Sequence, residues 1–318
     1  MEPPFTITSR LLSLVSQIER MIGRLESFDS PKPQPQLRKS NRVKTLQGSL
    51  AIEGNSLDLE QVTAILDGKT VLAPQNDIVE ILNANEVYEL LIELDSRSAN
   101  HLLQAHGIMM KDLLPDAGQW RTSNVGILKG GQVSHMAPPA DRVPHLMDDL
   151  FGFLKGDDHA LIQGCVFHYE FEFIHPFPDG NGRIGRFWHS LLLYHFHPVF
   201  EYIPVESIIK KHQQEYYNVL EACDKAGDST QFIEFSLQMI VEALDEFLGV
   251  FRPKNILPND RLEGAQKHFK NQWFSRKQYM ELHKTISTAT ASRDLKNGLE
   301  NALLNTKGDR ATTRYQFS

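Results

Sequence analysis

The stretch from Phe173 to Arg186, FIHPFPDGNGRIGR, concentrates side chains that could do chemistry. His175 is its sole imidazole and a natural general base. Asp179 is a lone carboxylate, which suits Mg²⁺ because that ion takes one or two carboxylates and otherwise binds substrate phosphates. Arg183 and Arg186 are three residues apart, so they share one face of a helical turn and could hold phosphate oxygens. Together these groups indicate transfer chemistry on a nucleotide.

Two helical patterns must position this loop. Apolar residues at helical spacing fill 159–174, two prolines then end the pattern, and a new one begins near Ile184. The loop therefore leads into a helix N-terminus, where unpaired N–H groups and the helix dipole favour an anion such as phosphate. Gly180 and Gly182 would let the backbone approach that anion closely.

Two other interpretations of the loop are weaker. GNGRIG at 180–185 matches the dinucleotide fingerprint, and Glu201 lies about 20 residues further on, but that fingerprint should directly follow a strand. A simple interhelical turn with solvated arginines would not require two prolines, three glycines and four polar groups.

The segment 175–186 resembles the Fic family motif, H-x-F-x-[D/E]-G-N-G-R-x-x-R, at every fixed position, and the resemblance extends over roughly 40–250. It implies a mostly α-helical bundle with a short β-hairpin flap. It also implies a protein adenylyltransferase, which transfers AMP from ATP to a Ser, Thr or Tyr hydroxyl of a target protein in the presence of Mg²⁺.

The resemblance assigns a role to each residue of the loop. His175 would deprotonate the target hydroxyl, Asp179 would hold Mg²⁺, and Phe177 would anchor the loop in the core. Relatives that transfer a terminal phosphate have lysine at the position of Gly182, so the glycine favours AMP transfer. The residues expected to bind the nucleotide within the loop are Gly180, Asn181, Gly182, Arg183, Ile184, Gly185 and Arg186.

A segment before the loop fits the same family. WRTSNVGIL at 120–128, with a turn at Gly130-Gly131, is similar to the flap that aligns the target peptide by strand addition, and Val125 would contact the nucleotide. An ordinary surface hairpin is the alternative.

A segment after the loop resembles the part of the family that contacts adenine and ribose. YYNVLEACDKAGD at 216–228 would make these contacts through Tyr216 and Tyr217, although tyrosines at helical spacing also suit a core. Asp224 stands where relatives often have asparagine, which leaves ribose recognition open.

SLAIEGN at 49–55 contains a carboxylate at the C-terminal end of a predicted helix, where the helix dipole disfavours negative charge. The stretch resembles the family's inhibitory motif, [S/T]-x-x-x-E-[G/N], through Ser49, Glu53 and Gly54. The resemblance implies that Glu53 pairs with Arg186 and obstructs the γ-phosphate. A solvated surface glutamate, or a glutamate that assists AMP removal in a de-AMPylase, stays open.

The C-terminal part differs in charge. Residues 252–318 carry 13 Lys/Arg and 6 Asp/Glu, a net +7, while the whole chain has a net charge of −7. Helices at 276–284 and 289–304, the latter with Leu303 inward, precede a short hairpin, and the pattern resembles a winged helix-turn-helix module. A cationic surface on such a fold suggests DNA; a packing or protein-interaction domain is the alternative.

We therefore predict a mostly α protein with a small C-terminal winged-helix domain. Cys165 and Cys223 form no disulfide framework, no signal peptide is evident, and no apolar run reaches the roughly 18 residues of a membrane span, so we expect a cytoplasmic protein without a membrane partner.

An unidentified target protein, DNA and a second copy of the chain, as a homodimer, are the partners considered. A DNA-binding regulator with a sensing or silent Fic region is the rival function. The predicted segments are an N-terminal helix and Pro-rich linker (1–36), a Fic domain with the inhibitory helix near 38–53 (37–250), a linker (251–260) and the winged helix-turn-helix (261–318).

Overall fold

A computed structural model describes residues 3–26, 34–129, 132–251, 258–283, 286–309 and 312–318. The chain divides into two compact units, Met1–Leu248 and Gly249–Ser318.

The first unit is built from helices and one hairpin. Short 3₁₀ helices lie at Ala140–Arg142 and Pro198–Tyr202. The elements in chain order are α1 (Ser9–Glu26), α2 (Pro35–Ile52), α3 (Leu59–Leu66), α4 (Gln75–Glu89), α5 (Ala99–Met109), β1 (Gly126–Lys129), β2 (Gln132–Met136), α6 (Val143–Phe153), α7 (Ala160–Ile174), α8 (Asn181–Phe196), α9 (Val205–Lys211), α10 (Gln213–Ala226) and α11 (Thr230–Phe251).

Helices α7 and α8 form the centre of this unit, and the segment that joins them is the motif loop. Helix α7 is buried on nearly all sides, which explains its apolar residues on more than one face. Aromatic side chains on both helices and in the loop fill the core together with residues of α2, α4, α5 and α6. Those with no exposed surface are Phe167, Phe171, Phe177, Phe187 and Trp188.

Several helix boundaries follow from local chemistry. Asp58 caps α3 in a capping box with Gln61. The predicted Pro-rich linker ends at residue 36, and this end is wrong because Pro35 opens α2, a position where its missing N–H costs nothing; residues 31–33 lie outside the described residues. Helical spacing runs through 206–225 in the sequence and predicts one helix there, but the structure has two helices that meet at His212.

The predicted hairpin is present. Strands β1 and β2 are antiparallel, with Gly126 opposite Met136 and a register irregularity between Ile127 and Leu128. The predicted turn at Gly130-Gly131 lies outside the described residues.

The described residues of the second unit form three helices and a hairpin. These are α12 (Pro258–Phe269), α13 (Arg276–Leu282), α14 (Thr288–Glu300), β3 (Leu304–Lys307) and β4 (Arg314–Phe317), the two strands being antiparallel.

Its boundaries differ from the prediction in two places. Helix α12 begins inside the predicted 251–260 linker, of which residues 252–257 lie outside the described residues. Leu303 was expected to face inward on a helix reaching residue 304, but α14 ends at Glu300 and the chain turns through Ala302 with φ 56°. Leu303 is therefore exposed and Leu304 is buried at the start of β3.

Neither Cys165 nor Cys223 forms a disulfide, and both are buried. Within the described ranges, no helix combines the length and apolar character that a membrane crossing demands.

Candidate active site

The motif loop is a sharp connection between α7 and α8. His175 ends α7 in the left-handed conformation, with φ 49° and ψ 60°, and its N–H still donates to Phe171 O at 2.9 Å. Gly180, with φ 81°, is the N-cap of α8. These two left-handed residues lie at the two ends of the loop, where the chain leaves α7 and enters α8.

Side chains within the loop fix its shape. The Asn181 side chain accepts from Phe177 N–H at 2.9 Å and donates to Phe177 O at 2.8 Å. Phe177 is fully buried and stacks on the ring of His106, with 3.6 Å between centroids. The predicted anchor therefore occupies the core. The amide of Asn181, expected among the phosphate contacts, instead closes the loop, which leaves its backbone N–H on the first turn of α8.

His106 supports the loop from α5, a role that sequence reasoning missed. Its Nδ1 accepts from Gly118 N–H at 2.9 Å, so its Nε2 carries the proton and donates to Asp179 O at 3.0 Å. Burial lowers its pKa to about 4, so the ring is neutral at physiological pH. Helix α5 contains two histidines, His101 and His106, and nothing in the sequence marked His106 for this contact.

Arg121 is a second support that the sequence did not assign. It is 2% exposed, and burial lowers the pKa of its guanidinium. Its Nε donates to His175 O at 2.8 Å, and its Nη2 donates to Ile174 O at 3.2 Å and Pro138 O at 2.5 Å. Arg121 therefore fastens the carbonyls around the strained His175 backbone to the segment that follows β2.

The N-terminus of α8 forms an electropositive cradle. Its first-turn N–H groups have no partners within the helix, and both arginine side chains reach it from within the protein, with Arg183 6% and Arg186 1% exposed. Within the described residues, Arg183 Nε and Arg186 Nη1 are buried without a hydrogen-bond partner. Buried donors without an acceptor are costly unless a ligand supplies one, so the cradle suits an anion.

Arg183 is held by two carboxylates. Its Nη1 donates to Glu80 Oε1 on α4 at 2.5 Å, and its Nη2 donates to Asp179 Oδ1 at 3.1 Å. The other oxygen of Glu80 accepts from Asn55 at 2.8 Å. Glu80 was not identified from the sequence, because nothing in α4 marks its contact with a residue 103 positions away.

Arg186 pairs with Glu53, as the resemblance implied. Its Nη2 donates to Glu53 Oε1 at 2.7 Å and to Ser49 O at 3.0 Å, while Nε donates to Ser49 Oγ at 3.2 Å. Burial lowers the pKa of the guanidinium, but Glu53, Tyr216 and Glu172 together outweigh burial and raise it overall. Gly54, with φ 96°, follows Glu53 and lets the chain leave α2 at this point.

The C-terminal end of α2 is tied down by α9 and α10. Lys210 Nζ donates to Ala51 O at 2.7 Å, and Gln213 and Tyr217 donate to Ile52 O at 2.9 and 3.2 Å. These donors satisfy carbonyls that a helix end leaves without partners. They hold Glu53 in place against the N-terminus of α8.

The Glu53 carboxylate occupies the cradle itself. A Cβ atom at Gly182 would clash with Glu53 Oε1 and lie 3.0 Å from Arg186 Nη1. The carboxylate thus lies over the first turn of α8, where the helix dipole favours negative charge. This placement resolves the unfavourable charge at the end of α2.

Asp179 fits a hard cation as one ligand among several. Its side chain is 65% exposed, and Oδ1 accepts from Gly180 N–H at 2.6 Å and from Arg183. Among the described residues no group of three or more His, Cys, Asp or Glu side chains could enclose a metal. A single oxygen donor suits Mg²⁺ that completes its coordination with phosphate and water.

The remaining predicted residues lie at different depths. Tyr216 is 1% exposed, and its hydroxyl lies 3.2 Å from His168 Nε2, whereas Tyr217 is half-buried beside α2. Val125 is half-buried directly before β1. Ile184 is fully buried, and its N–H donates to Gly180 O at 3.0 Å. Nucleotide contacts by these residues, and by Gly185 within α8, stay predictions.

A buried polar layer lies behind Arg186. His168 Nε2 is 3.8 Å from Glu172 Oε1, and His168 has no exposed surface. Burial raises the pKa of Glu172 to about 7 and lowers that of His168. Glu172 Oε1 also lies against Gly185, where a Cβ would be 2.7 Å away. A larger residue at 185 would therefore displace the side chains of Glu172 and Phe171 where α8 packs on α7.

Comparisons with known proteins agree with the motif. The Fic/DOC family model matches residues 96–193. The protein adenylyltransferase Fic of Culex quinquefasciatus is 28% identical over 244 residues, which cover 71% of this chain and 46% of the relative. The protein adenylyltransferase fic-1 of Caenorhabditis elegans is 25% identical over 269 residues, covering 77% and 50%. The chain thus spans about half the length of the curated relatives it matches.

Solved structures extend the similarity to the whole chain. A crystal structure of a Fic family protein from Desulfovibrio desulfuricans is 38% identical with a TM-score of 0.77, covering 100% of this chain and 98% of that chain. Fic-1 of Caenorhabditis elegans, at 20% identity and a TM-score of 0.61, covers 76% and 73% and shares the fold. With a full-length relative above 30% identity and an intact motif in the fold, the chain belongs to the Fic/DOC family.

Proposed function

We propose that this protein is a protein adenylyltransferase that transfers AMP from ATP to a hydroxyl side chain of a target protein. The observation that carries the proposal is the cradle at the N-terminus of α8. It combines first-turn N–H groups with two buried guanidinium groups, and a carboxylate already lies against it. A site that already binds the carboxylate anion also suits the negatively charged phosphates of a nucleotide.

His175 is the proposed general base. Its imidazole removes the proton of the target hydroxyl as the hydroxyl oxygen bonds to the α-phosphorus of ATP. The bond from that phosphorus to the oxygen bridging the α- and β-phosphates breaks, and pyrophosphate leaves. Helix N–H groups, Arg183 and Arg186 neutralise charge on the phosphates. Mg²⁺, held through Asp179, would supply further charge neutralisation when bound.

Glu53 is the proposed inhibitory residue. Its carboxylate takes the hydrogen bond that Arg186 would otherwise give to the γ-phosphate, and it covers Gly182 at the mouth of the cradle. Because the carboxylate and a phosphate compete for the same donor, the ATP pose with the γ-phosphate in place is suppressed. The same carboxylate could hold water for AMP removal, and transfer measured in both directions distinguishes the two activities.

The direct test uses ATP labelled at the α-phosphate, with Mg²⁺ and a lysate of host cells. A Glu53→Gly variant should label itself and target proteins, and the label should be absent when His175→Ala is added. If the folded double variant still binds ATP and labels proteins as fast as Glu53→Gly, His175 is not the general base.

For the second unit we propose a winged helix-turn-helix that binds DNA. Exposed Arg293 and Lys296 lie on one side of α14, which follows α13 and precedes the β3–β4 hairpin, the order expected for a recognition helix and wing. Affinity for duplex DNA should fall steeply with salt, because phosphate contacts release counterions. Removal of 261–318 should abolish binding and preserve AMP transfer; binding without a salt dependence would favour a protein partner.

A further inference from the structure

A pocket of about 320 Å³ lies beside the motif loop. Ile174 and Phe173, at the end of α7, form one wall, and Pro138 and Pro139, which follow β2, form another. Ile174 directly precedes His175, so their Cα atoms are about 3.8 Å apart. One residue that lines the pocket is therefore the direct chain neighbour of the proposed general base.

The two walls are fixed relative to each other. Arg121 donates from the same Nη2 atom to Pro138 O at 2.5 Å and to Ile174 O at 3.2 Å, and from Nε to His175 O at 2.8 Å. One buried guanidinium thus sets the distance between the pocket and the base. A pocket held in this way can select a side chain at a defined place in the target sequence.

Its lining is apolar with two carboxylates. Leu146, Leu150 and the prolines supply the apolar surface, and Asp149 and Glu170 supply negative charge. Such a lining would accommodate the methylene groups of a long side chain and a cationic end group.

Glu170 is the residue that indicates a positively charged ligand. It is partly buried on α7, and within the described part of the chain it forms no ion pair or hydrogen bond through its side chain. Burial, together with the nearby charge of Asp224, raises its pKa to about 7. A half-buried carboxylate next to another carboxylate lacks a cation. Arg142 also lines the pocket, but it is exposed and does not pair with Glu170.

We propose that this pocket binds an arginine or lysine side chain of the target protein, located within two residues of the hydroxyl that receives AMP. This inference rests on the proposed adenylyltransferase function. A target segment paired with the flap would rise about 3.3 Å per residue, so a side chain one or two residues from the hydroxyl has the right reach. In strand-addition complexes, backbone pairing gives affinity and side-chain pockets give specificity.

The test uses the Glu53→Gly protein and synthetic peptides that contain one tyrosine, threonine or serine. Arginine, norleucine or glutamate is placed in turn at each position from two before to two after the hydroxyl, and kcat/KM is measured with α-labelled ATP. Arginine should exceed norleucine at least tenfold at one position, because a charge-assisted hydrogen bond forms. Equal rates for arginine and norleucine at all four positions would overturn the proposal.

Variants separate pocket chemistry from folding. Glu170→Gln keeps the shape of the side chain, and it should reduce the arginine preference below threefold and leave the norleucine rate unchanged. Glu170→Lys should reverse the preference toward glutamate. The exposed Glu93→Gln, outside the pocket, is the matched control and should leave the preference intact. A preference for arginine that survives Glu170→Gln would also overturn the assignment.

The results also distinguish an error in the proposed transferase function from an error in the pocket assignment. If ATP binds but neither peptides nor proteins are labelled, the transferase assignment is wrong, and the pocket assignment fails with it. If proteins are labelled but short peptides are not, the modified sites are identified by mass spectrometry. Arginine and lysine should then be enriched within two residues of the modified hydroxyl, and the enrichment should disappear with Glu170→Gln. Modified sites without enrichment would contradict the pocket assignment alone.

Discussion

Replacement of Glu53 by glycine should activate the protein and destabilise it at the same time. The change removes one ion pair, in which Arg186 Nη2 and Glu53 Oε1 are 2.7 Å apart, and leaves the two Ser49 contacts of Arg186. A charge-assisted hydrogen bond contributes about 1.5–3 kcal/mol. In the wild-type protein this hydrogen bond competes with the γ-phosphate for Arg186. Without it, the AMP-transfer rate should rise by about ten- to a hundredfold at 1.4 kcal/mol per decade.

The free energy of unfolding should change in the opposite sense. Arg186 is 1% exposed, so loss of its carboxylate partner leaves a buried charge with fewer contacts. Without nucleotide, Glu53→Gly should lower the free energy of unfolding by about 1.5–3 kcal/mol. Saturating ATP should recover much of this loss, because phosphate replaces the carboxylate.

The assay compares initial rates of label transfer from α-labelled ATP with urea unfolding curves, each with and without nucleotide. Asp67→Gly is the matched control: Asp67 also caps a helix C-terminus and forms an ion pair, with Lys39, but it lies outside the cradle. The control should leave the rate unchanged. Glu53→Gln should activate less than glycine, since an amide oxygen still accepts from Arg186. An unchanged rate in a folded, ATP-binding Glu53→Gly protein would refute self-inhibition.

Three further predictions follow from the site. His175→Ala should lower AMP transfer by about 10²–10⁴-fold with little change in ATP affinity, measured by titration; a normal rate would require another base. Arg121→Lys cannot reach the carbonyls of Ile174, His175 and Pro138 together, so it should lower kcat at least tenfold and change the Kd for ATP less than threefold. Exposed Arg97→Lys is the control, and equal effects would contradict a positioning role. The rise in the pKa of Glu172 from 4.5 to about 7 corresponds to about 3 kcal/mol at 1.36 kcal/mol per pH unit. Because the folded state favours the protonated carboxyl, this stability is complete below pH 4.5 and is lost as pH rises through 7. Glu172→Gln should therefore gain up to about 3 kcal/mol relative to wild type between pH 4.5 and pH 8 in urea unfolding; a constant difference would exclude the raised pKa.

The sequence was most informative where the chemistry is local. The motif loop places its base, carboxylate and both arginines within twelve consecutive residues, so their proximity required no knowledge of the fold. The pairing of Glu53 with Arg186 was also predicted, but through family resemblance, since these residues are 133 positions apart.

The supports of the loop were missed because their contacts are distant in sequence. His106 contacts the backbone of a residue 73 positions away, Arg121 one 54 positions away, and Glu80 pairs with an arginine 103 positions away. Such pairs depend on how the helices pack, and neither residue type nor spacing identifies them.

Errors in the predicted elements have local causes. Periodicity continued through His212, where the chain nevertheless breaks between α9 and α10. It also continued past Glu300, where the chain turns through a left-handed Ala302 before β3 begins at Leu304. A proline at the first position of α2 was read as a barrier to the helix that it begins. At His212 and Ala302, one residue's backbone conformation outweighed the apolar pattern.

The position of the label on ATP tests the central claim most directly. The Glu53→Gly protein is incubated in parallel with Mg²⁺ and ATP labelled at either the α- or the γ-phosphate. Our account predicts covalent label on protein from α-labelled ATP, no label from γ-labelled ATP, and release of pyrophosphate, all lost with His175→Ala. Label from the γ-phosphate, or no label despite bound ATP, would contradict it.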